Sequence, residues 1–389
     1  MFAATLANML VPGVLPAFAA ETGISMSAIG RSSAVFGIVY AVAAPLLALA
    51  VRRVPPFRVM LVALPVSAVT VLAVAAAPSA GGLFAARAVQ AVAVAGVVPM
   101  CTVHAGTIVP ALLRSRALSV SFGGMVLSSL VGAPLGNALG GLVGARQVFW
   151  VAAGVTLAAF GVLLAVRPWQ AGLRAEAAGP AVHDDPAQRS ARAVDSLPAA
   201  APAAVAVLAA VLATAMLEGV ATSSLNTFVS PYLTRTTGAT GGMLSALLLC
   251  YGVAGLAGNA LLGAVADRLG PARVLLAVTA TAAVGVAALR LATSPGWAAA
   301  LLLVWGFCSW AINPPLQALL IGHAGSHVRL AVAINSSVIF TGSSVGAAVA
   351  AAQVDAGGLL ALPLTAGAAF AASAAAAGVA WWLSARRGS

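Results

Sequence analysis

Apolar positions in this chain come in long runs, and its polar positions fall mostly in the short gaps between them. Twelve runs stand out, at residues 1–20, 32–51, 59–77, 82–110, 117–143, 148–166, 203–229, 243–266, 274–292, 296–321, 330–354 and 359–383. Each is long enough for the roughly 17–25 residues a helix needs to cross a bilayer core. A β-barrel would need short segments of alternating character instead. The pattern predicts an all-α polytopic membrane protein with 12 transmembrane helices. The first run lacks the arginine or lysine that precedes a cleavable leader, so it reads as a retained helix.

Composition agrees. The chain is 62% apolar and 7% charged, whereas soluble domains carry about a quarter charged residues. So few charges cannot build a water-facing surface, and most side chains must meet lipid or other helices. A net charge of +11 invites a nucleic-acid partner, but the basic residues form no cluster that could follow a phosphate backbone. All 19 basic residues are arginine, which with the abundant alanine points to a GC-rich bacterial genome. Cys101, Cys250 and Cys308 lie singly in apolar runs, without the spacing of a metal or disulfide site, and read as packing residues.

The arginines also orient the chain. With the long connection after the sixth run in the cytoplasm, fourteen of them (52, 53, 58, 114, 116, 167, 174, 189, 192, 268, 273, 329, 386 and 387) fall on that side. Only Arg31, Arg146, Arg235 and Arg290 fall outside, and Arg87 lies within a span. This asymmetry places both termini in the cytoplasm of a bacterial inner membrane. Residues 167–202 carry four arginines and four acids among prolines and alanines. They read as a cytoplasmic linker between six-helix bundles at 1–166 and 203–389. His183, Asp184 and Asp185 within it read as solvated side chains rather than a metal site.

The two halves repeat each other. ADRLGPARVLL at 266–276 lies on VRRVPPFRVML at 51–61 with an offset of 215, which also maps Pro16 on Pro231, Gly23 on Gly238 and Gly37 on Gly252. His104–Gly106 recurs at His323–Gly325 with an offset of 219. Tandem halves of parallel topology are a transporter architecture, in which two bundles rock about a site at their interface. At the same offset, the seventh run begins thirteen residues before the counterpart of Met1, so the native start is expected upstream of this methionine.

Four motifs in register with the twelve spans resemble the major facilitator superfamily. ADRLGPAR between the eighth and ninth runs is similar to its signature loop. FAARAVQA in the fourth run resembles the R-x-x-Q-G motif of proton-coupled members, with Ala91 at the glycine position. GAPLGNALGG in the fifth resembles the antiporter motif, with Ala133 replacing a glycine. WAINPPLQALL followed by AVAINSS is similar to the tenth and eleventh helices of bacterial efflux pumps for sugars, purine nucleosides and chloramphenicol. The resemblance implies that helices one, four, seven and ten line a central cavity. It implies a conformational latch at Asp267, Arg268, Gly270 and Arg273, and an antiporter-type helix marked by Gly132, Pro134, Gly136 and Gly140. In the first copy of the loop Arg52 stands at the acid's position, so that half cannot make the same latch.

The residues carry their own physical reading. Gly124, Ser128, Gly132, Gly136 and Gly140 make a smooth stripe on the fifth helix, along which another backbone can approach. The eighth helix is the expected mate, through Gly255, Asn259 and Gly263. Arg87 and Glu218 are the charges within spans, each costing at least ~2.5–3.5 kcal/mol at mid-bilayer. Desolvation favours a protonated glutamate, which suits a proton-coupling step; their differing depths argue against a mutual ion pair. Glu21, Arg31 and Asp355 lie near outer ends, where loop exposure accounts for them. Asn8, Gln90, Asn226, Trp310, Asn313, Gln317 and Asn335 are candidate cavity residues, the tenth-helix trio by its shared face.

The reading is therefore a secondary active transporter that exports a small organic molecule (a drug, sugar or nucleoside) in exchange for protons by alternating access, and not an enzyme: no convergent nucleophile–base or metal constellation is visible. No cofactor is expected, since the chain has no G-x-x-x-x-G-K-[ST] phosphate loop and a proton gradient supplies the energy. The expected partners are a small organic molecule, protons and the lipid bilayer, without nucleic acid, for a monomeric protein. Import of a sugar or nucleoside by symport or uniport is the alternative, and a transporter-like sensor a remoter one.

Overall fold

The computed structural model describes residues 1–51, 53–107, 114–166, 202–324 and 328–385, and the side chains of several helical residues, Asp267 among them, lie outside that set. The first half contains α1 (Phe2–Thr22), α2 (Met26–Ala50), α3 (Pro56–Ala76), α4 (Ala80–Thr107), α5 (Arg114–Val143) and α6 (Ala145–Ala165). The second contains α7 (Pro202–Asn226), α8 (Val229–Thr237), α9 (Gly241–Leu269), α10 (Pro271–Ala288), α11 (Pro295–Ala311), α12 (Asn313–His323), α13 (Val328–Asp355) and α14 (Leu362–Ala385). Among the described residues, twelve stretches are long and apolar enough to cross a membrane. Most of the linker expected at 167–202 lies outside the described residues.

Helix boundaries depart from the apolar runs where local chemistry overrides hydropathy. The second helix begins at Met26 rather than near residue 32, because Ser25 accepts the Ala28 N–H at 3.2 Å as its N-cap. The seventh and tenth spans are each broken in two. Pro231 has no N–H to return to Thr227, and α7 stops at Asn226 before α8 begins at Val229. Pro314 and Pro315 restart the tenth span as α12, after a one-residue interruption at Ile312.

The repeat is visible in backbone geometry. α1 ends on Gly23 with φ 70° and ψ 4°, its N–H bonding Ala19 O, while α8 ends on Gly238 with φ 70° and ψ 5°, bonding Thr234 O. A left-handed cap of this kind favours glycine, so both repeat positions keep it. The loops quoted above differ instead. Gly270 joins α9 to α10 at φ 89° and ψ 131°, whereas Pro55 at the matching place has φ −56° and ψ 134°. A proline cannot adopt positive φ, so the first copy turns by another route.

Packing follows the same plan in each half. α1 lies on α5 and α6, α2 on α4, and α3 on α4 and α6. Correspondingly, α7 lies on α13 and α14, α9 on α11, and α10 on α11 and α14. Close backbone approach holds the central pairs. A Cβ on Gly132 would come within 2.7 Å of Met9 O, and one on Gly136 within 2.6 Å of Leu10 O. Gly342 and Gly346 of α13 are pressed against the Met216 and Val220 carbonyls of α7 in the same way. The glycine stripe of α5 therefore mates with α1, not with α9 as its spacing had implied. Gly255 of α9 instead lies against Trp310 of α11.

The halves meet along two equivalent seams, α2 with α13 and α9 with α5. Gly37 sits beneath Phe340 and Ser344, and its repeat partner Gly252 lies where a Cβ would be 2.8 Å from Leu130 Cα. Asn137 of α5 donates to Gly241 O at 2.7 Å and to Ser245 Oγ at 2.9 Å, and Ser245 donates to Pro134 O. On the other seam Ser337 donates to Ala41 O, and Arg31 pairs with Asp355 at 2.9 Å. Ser230 of α8 donates to Pro12 O at 2.5 Å. These links lie at mid-helix and at the end opposite the arginine-rich loops, so that end is closed.

Gly37→Val should oppose this closure. Overpacking of this kind costs about 1–3 kcal/mol, enough to lower the closed-to-open ratio by roughly 5- to 150-fold. With the native cysteines replaced, cross-linking of Arg31→Cys to Asp355→Cys by a short reagent should fall accordingly. Unchanged cross-linking in the Gly37→Val background would show that this glycine does not set the seam.

Candidate functional site

Arg87 near the start of α4 is 1% exposed, and three helices surround it. Its Nη2 donates to Asn8 Oδ1 of α1 at 2.6 Å and its Nη1 to Gln90 Oε1 at 2.8 Å. The guanidinium carbon stands 4.7 Å from the ring centre of Phe36 on α2, a cation–π placement. Phe36 stacks on Tyr40 at 6.1 Å, and Tyr40 meets Phe340 of α13 at 4.0 Å. A continuous line of contacts thus runs from Asn8 through Arg87 to the other half. The R-x-x-Q spacing of α4 puts Arg87 and Gln90 one turn apart; Asn8, Phe36 and Tyr40 join them only in three dimensions.

Glu218 occupies the second half, in mid-span of α7. It is half-buried, and its Oε1 accepts from Thr222 Oγ1 one turn on at 2.9 Å. Tyr251 of α9 counts Glu218, Ser309 and Trp310 among its polar neighbours, and its ring lies 4.6 Å from that of Trp305. Gly219 fixes the depth of this residue: a Cβ there would be 2.7 Å from Ile339 O on α13. Among the described residues the ion pairs are Arg31–Asp355 and Arg146–Glu21. Arg87 and Glu218 are therefore not salt-bridged to each other, as their depths implied.

The remaining candidates are spread more widely. Asn335 on α13 is buried with its Oδ1 unbonded. Asn226 ends α7 and Asn313 begins α12, so both stand at helix breaks. The break also divides the tenth-helix trio: Trp310 lies on α11, and Asn313 and Gln317 on α12. Asn313 Nδ2 turns back to Trp310 O at 3.4 Å. Of the loop residues, Arg268 and Arg273 are exposed, and the Asp267 side chain lies outside the described set.

Three end residues assigned above to loop exposure do more than that. Arg31 and Asp355 bridge the halves, and Glu21 Oε2 accepts the Ala145 N–H at 2.7 Å at the start of α6. An acid there satisfies a free helix N–H and complements the helix dipole. Asn137, Ser230 and Ser337 also join the halves, and single polar residues in apolar runs were the signal available for them.

A family model described as Major Facilitator Superfamily matches residues 1–217 and 211–389. The chain belongs to the Major Facilitator Superfamily. It is a multi-pass membrane transporter of that superfamily and not an enzyme. Among related proteins, it is 30% identical over 353 residues to a chloramphenicol resistance protein of Streptomyces lividans, covering 88% of this chain and 84% of that one. It is 26% identical over 346 residues to the inner membrane transport protein YdhP of Escherichia coli K12, covering 89% and 84%. A peptide transporter of the POT type, crystallised with sulfate, has the same fold, with a TM-score of 0.74 at 12% identity over 99% of this chain and 92% of that one.

In this superfamily member, the Arg87 cluster holds a buried cation on neutral partners. Asn8→Asp would supply a carboxylate 2.6 Å from Nη2 at the position of the present amide oxygen. In buffer free of small inorganic anions it should raise the unfolding temperature of the purified protein. Arg87→Lys keeps the charge but cannot reach both amides with a planar fork, and should lower it, with a loss of about 1–3 kcal/mol. A lower melting temperature for Asn8→Asp would mean that the charge is already balanced.

Proposed function

We infer that this transporter exports a small organic molecule in exchange for protons, by alternating access, with Glu218 as the coupling acid. The observation that carries this reading is a lone carboxylate at mid-span in α7, half-buried, with a threonine hydroxyl as its hydrogen-bond partner. An acid without a fixed cation beside it can be ionised when water enters the cavity and protonated when the cavity seals. The named relative from Streptomyces lividans supports a drug-like substrate.

On this reading the arginine-rich loops face the cytoplasm, together with both termini, in a bacterial inner membrane. The closed seam then seals the outer side, and the cavity faces inward. Arg87 contributes a fixed charge held by Asn8 and Gln90. Asn226, Trp310, Asn313, Gln317 and Asn335 supply amide and indole contacts for substrate. The loop containing Asp267, Arg268, Gly270 and Arg273 closes the cytoplasmic side in the opposite state, and the Pro134-containing face of α5 slides on α9 during exchange. No cofactor takes part, and a single chain is the transporting unit.

Glu218→Gln keeps size and hydrogen bonding but removes titration. In proteoliposomes it should abolish uphill efflux driven by a pH gradient while sparing downhill exchange. Uphill accumulation by the variant on a pH gradient alone would refute the assignment. Asp267→Asn should slow both modes alike, because a latch acts on the conformational step rather than on proton chemistry. A selective loss of the pH-driven mode in Asp267→Asn would instead make that residue part of the coupling chemistry.

A further inference from the structure

We propose that the first six-helix half holds a chloride ion beside Arg87, independently of the export reading. Arg87 lines a cavity of about 10 Å³ together with Val11, Val14, Phe18, Ser32 and Phe149. That volume admits one water-sized occupant. All its lining residues lie on α1, α2, α3, α4 and α6, so it is inside one half rather than between the two. A site of that size and place suits a single ion and excludes an organic substrate.

Charge decides what occupies it. Arg87 is 1% exposed, and its Nε has no hydrogen-bond partner. Its other two nitrogens bond neutral amide oxygens, which satisfy geometry but bring no negative charge. The acids whose side chains are described are engaged elsewhere: Glu21 with Arg146, Asp355 with Arg31, and Glu218 with Thr222. A guanidinium does not lose its proton in proteins, and a buried cation calls for a counter-charge. Water cannot supply one; a monatomic anion can.

Ser32 provides a second donor. It is buried, and its hydroxyl now donates to Ile29 O at 2.6 Å, a carbonyl that already serves the helix ladder. Ser32 lines the same cavity as Arg87, and another staggered rotamer would free its hydroxyl to donate there. The rest of the wall is apolar, which strengthens the electrostatic attraction between ion and guanidinium.

The test uses the full-length protein in detergent, at constant ionic strength, with sodium gluconate exchanged stepwise for sodium chloride or bromide. Chloride and bromide should raise the unfolding temperature saturably, on the order of 2–4 °C. Ser32→Val, which fills the cavity and removes the hydroxyl, should unfold at the same temperature in both salts. Crystals grown in bromide should give an anomalous peak beside Arg87. Equal unfolding temperatures of the wild type in chloride and gluconate would overturn the proposal. So would a salt effect that survives Ser32→Val, or bromide crystals with water in this cavity.

Discussion

Close contact between backbones is the constraint on which the rest of this molecule depends. In lipid no hydrophobic force draws one apolar helix to another, so helices hold together by packing and by hydrogen bonds between them. Here that packing is concentrated at glycines. Gly132 and Gly136 bring α5 onto α1, Gly342 and Gly346 bring α13 onto α7, and Gly37 and Gly252 bring the halves together. Each replaces a side chain with direct contact to a neighbouring chain, and dispersion forces reward that closeness steeply. The position of Glu218 follows, because it sits on α7, whose Met216 and Val220 carbonyls lie against Gly342 and Gly346.

The chemistry lies where the two halves diverge. Caps, loops and helix pairings recur from one half to the other, but the intramembrane charges do not. At the offset of 215, Ala3 stands at the repeat position of Glu218, and Leu302 at that of Arg87. One half thus carries a permanent cation on neutral amides, and the other a titratable acid beside a threonine. The helix breaks at Asn226 and Asn313 belong to the second half alone among the described helices, while Pro12, Pro16 and Pro99 lie inside unbroken helices of the first. Broken helices expose backbone groups at membrane depth, which is tolerated where they line a cavity.

Much of this was readable from residue order. Span number, the duplicated caps at Gly23 and Gly238 and the pairing of Arg87 with Gln90 all follow from local periodicity and turn chemistry. Spacing along one helix identifies a face but not what it meets. The α5 stripe was correctly placed on one side of its helix, yet assigned to α9 when α1 covers it. The pairing of Arg31 with Asp355 joins residues more than three hundred positions apart, and an exposed charge near a helix end carries no mark of its distant partner. Breaks in the seventh and tenth spans were hidden because hydropathy continues through them, although Pro231 and the Pro314–Pro315 pair were in plain view.

The two loops that opened the repeat differ in stiffness. Pro55 and Pro56 have their φ angles held by rings, so α3 is entered along a fixed backbone direction. Gly270 has no such restraint, and the joint between α9 and α10 can pivot through a wide range of backbone angles. At this repeat position one half enters its third helix at a fixed angle, and the other enters the equivalent helix at a free one. A transporter built from near-copies therefore need not divide its movement equally: at this joint the backbone freedom lies in the half that also carries Glu218.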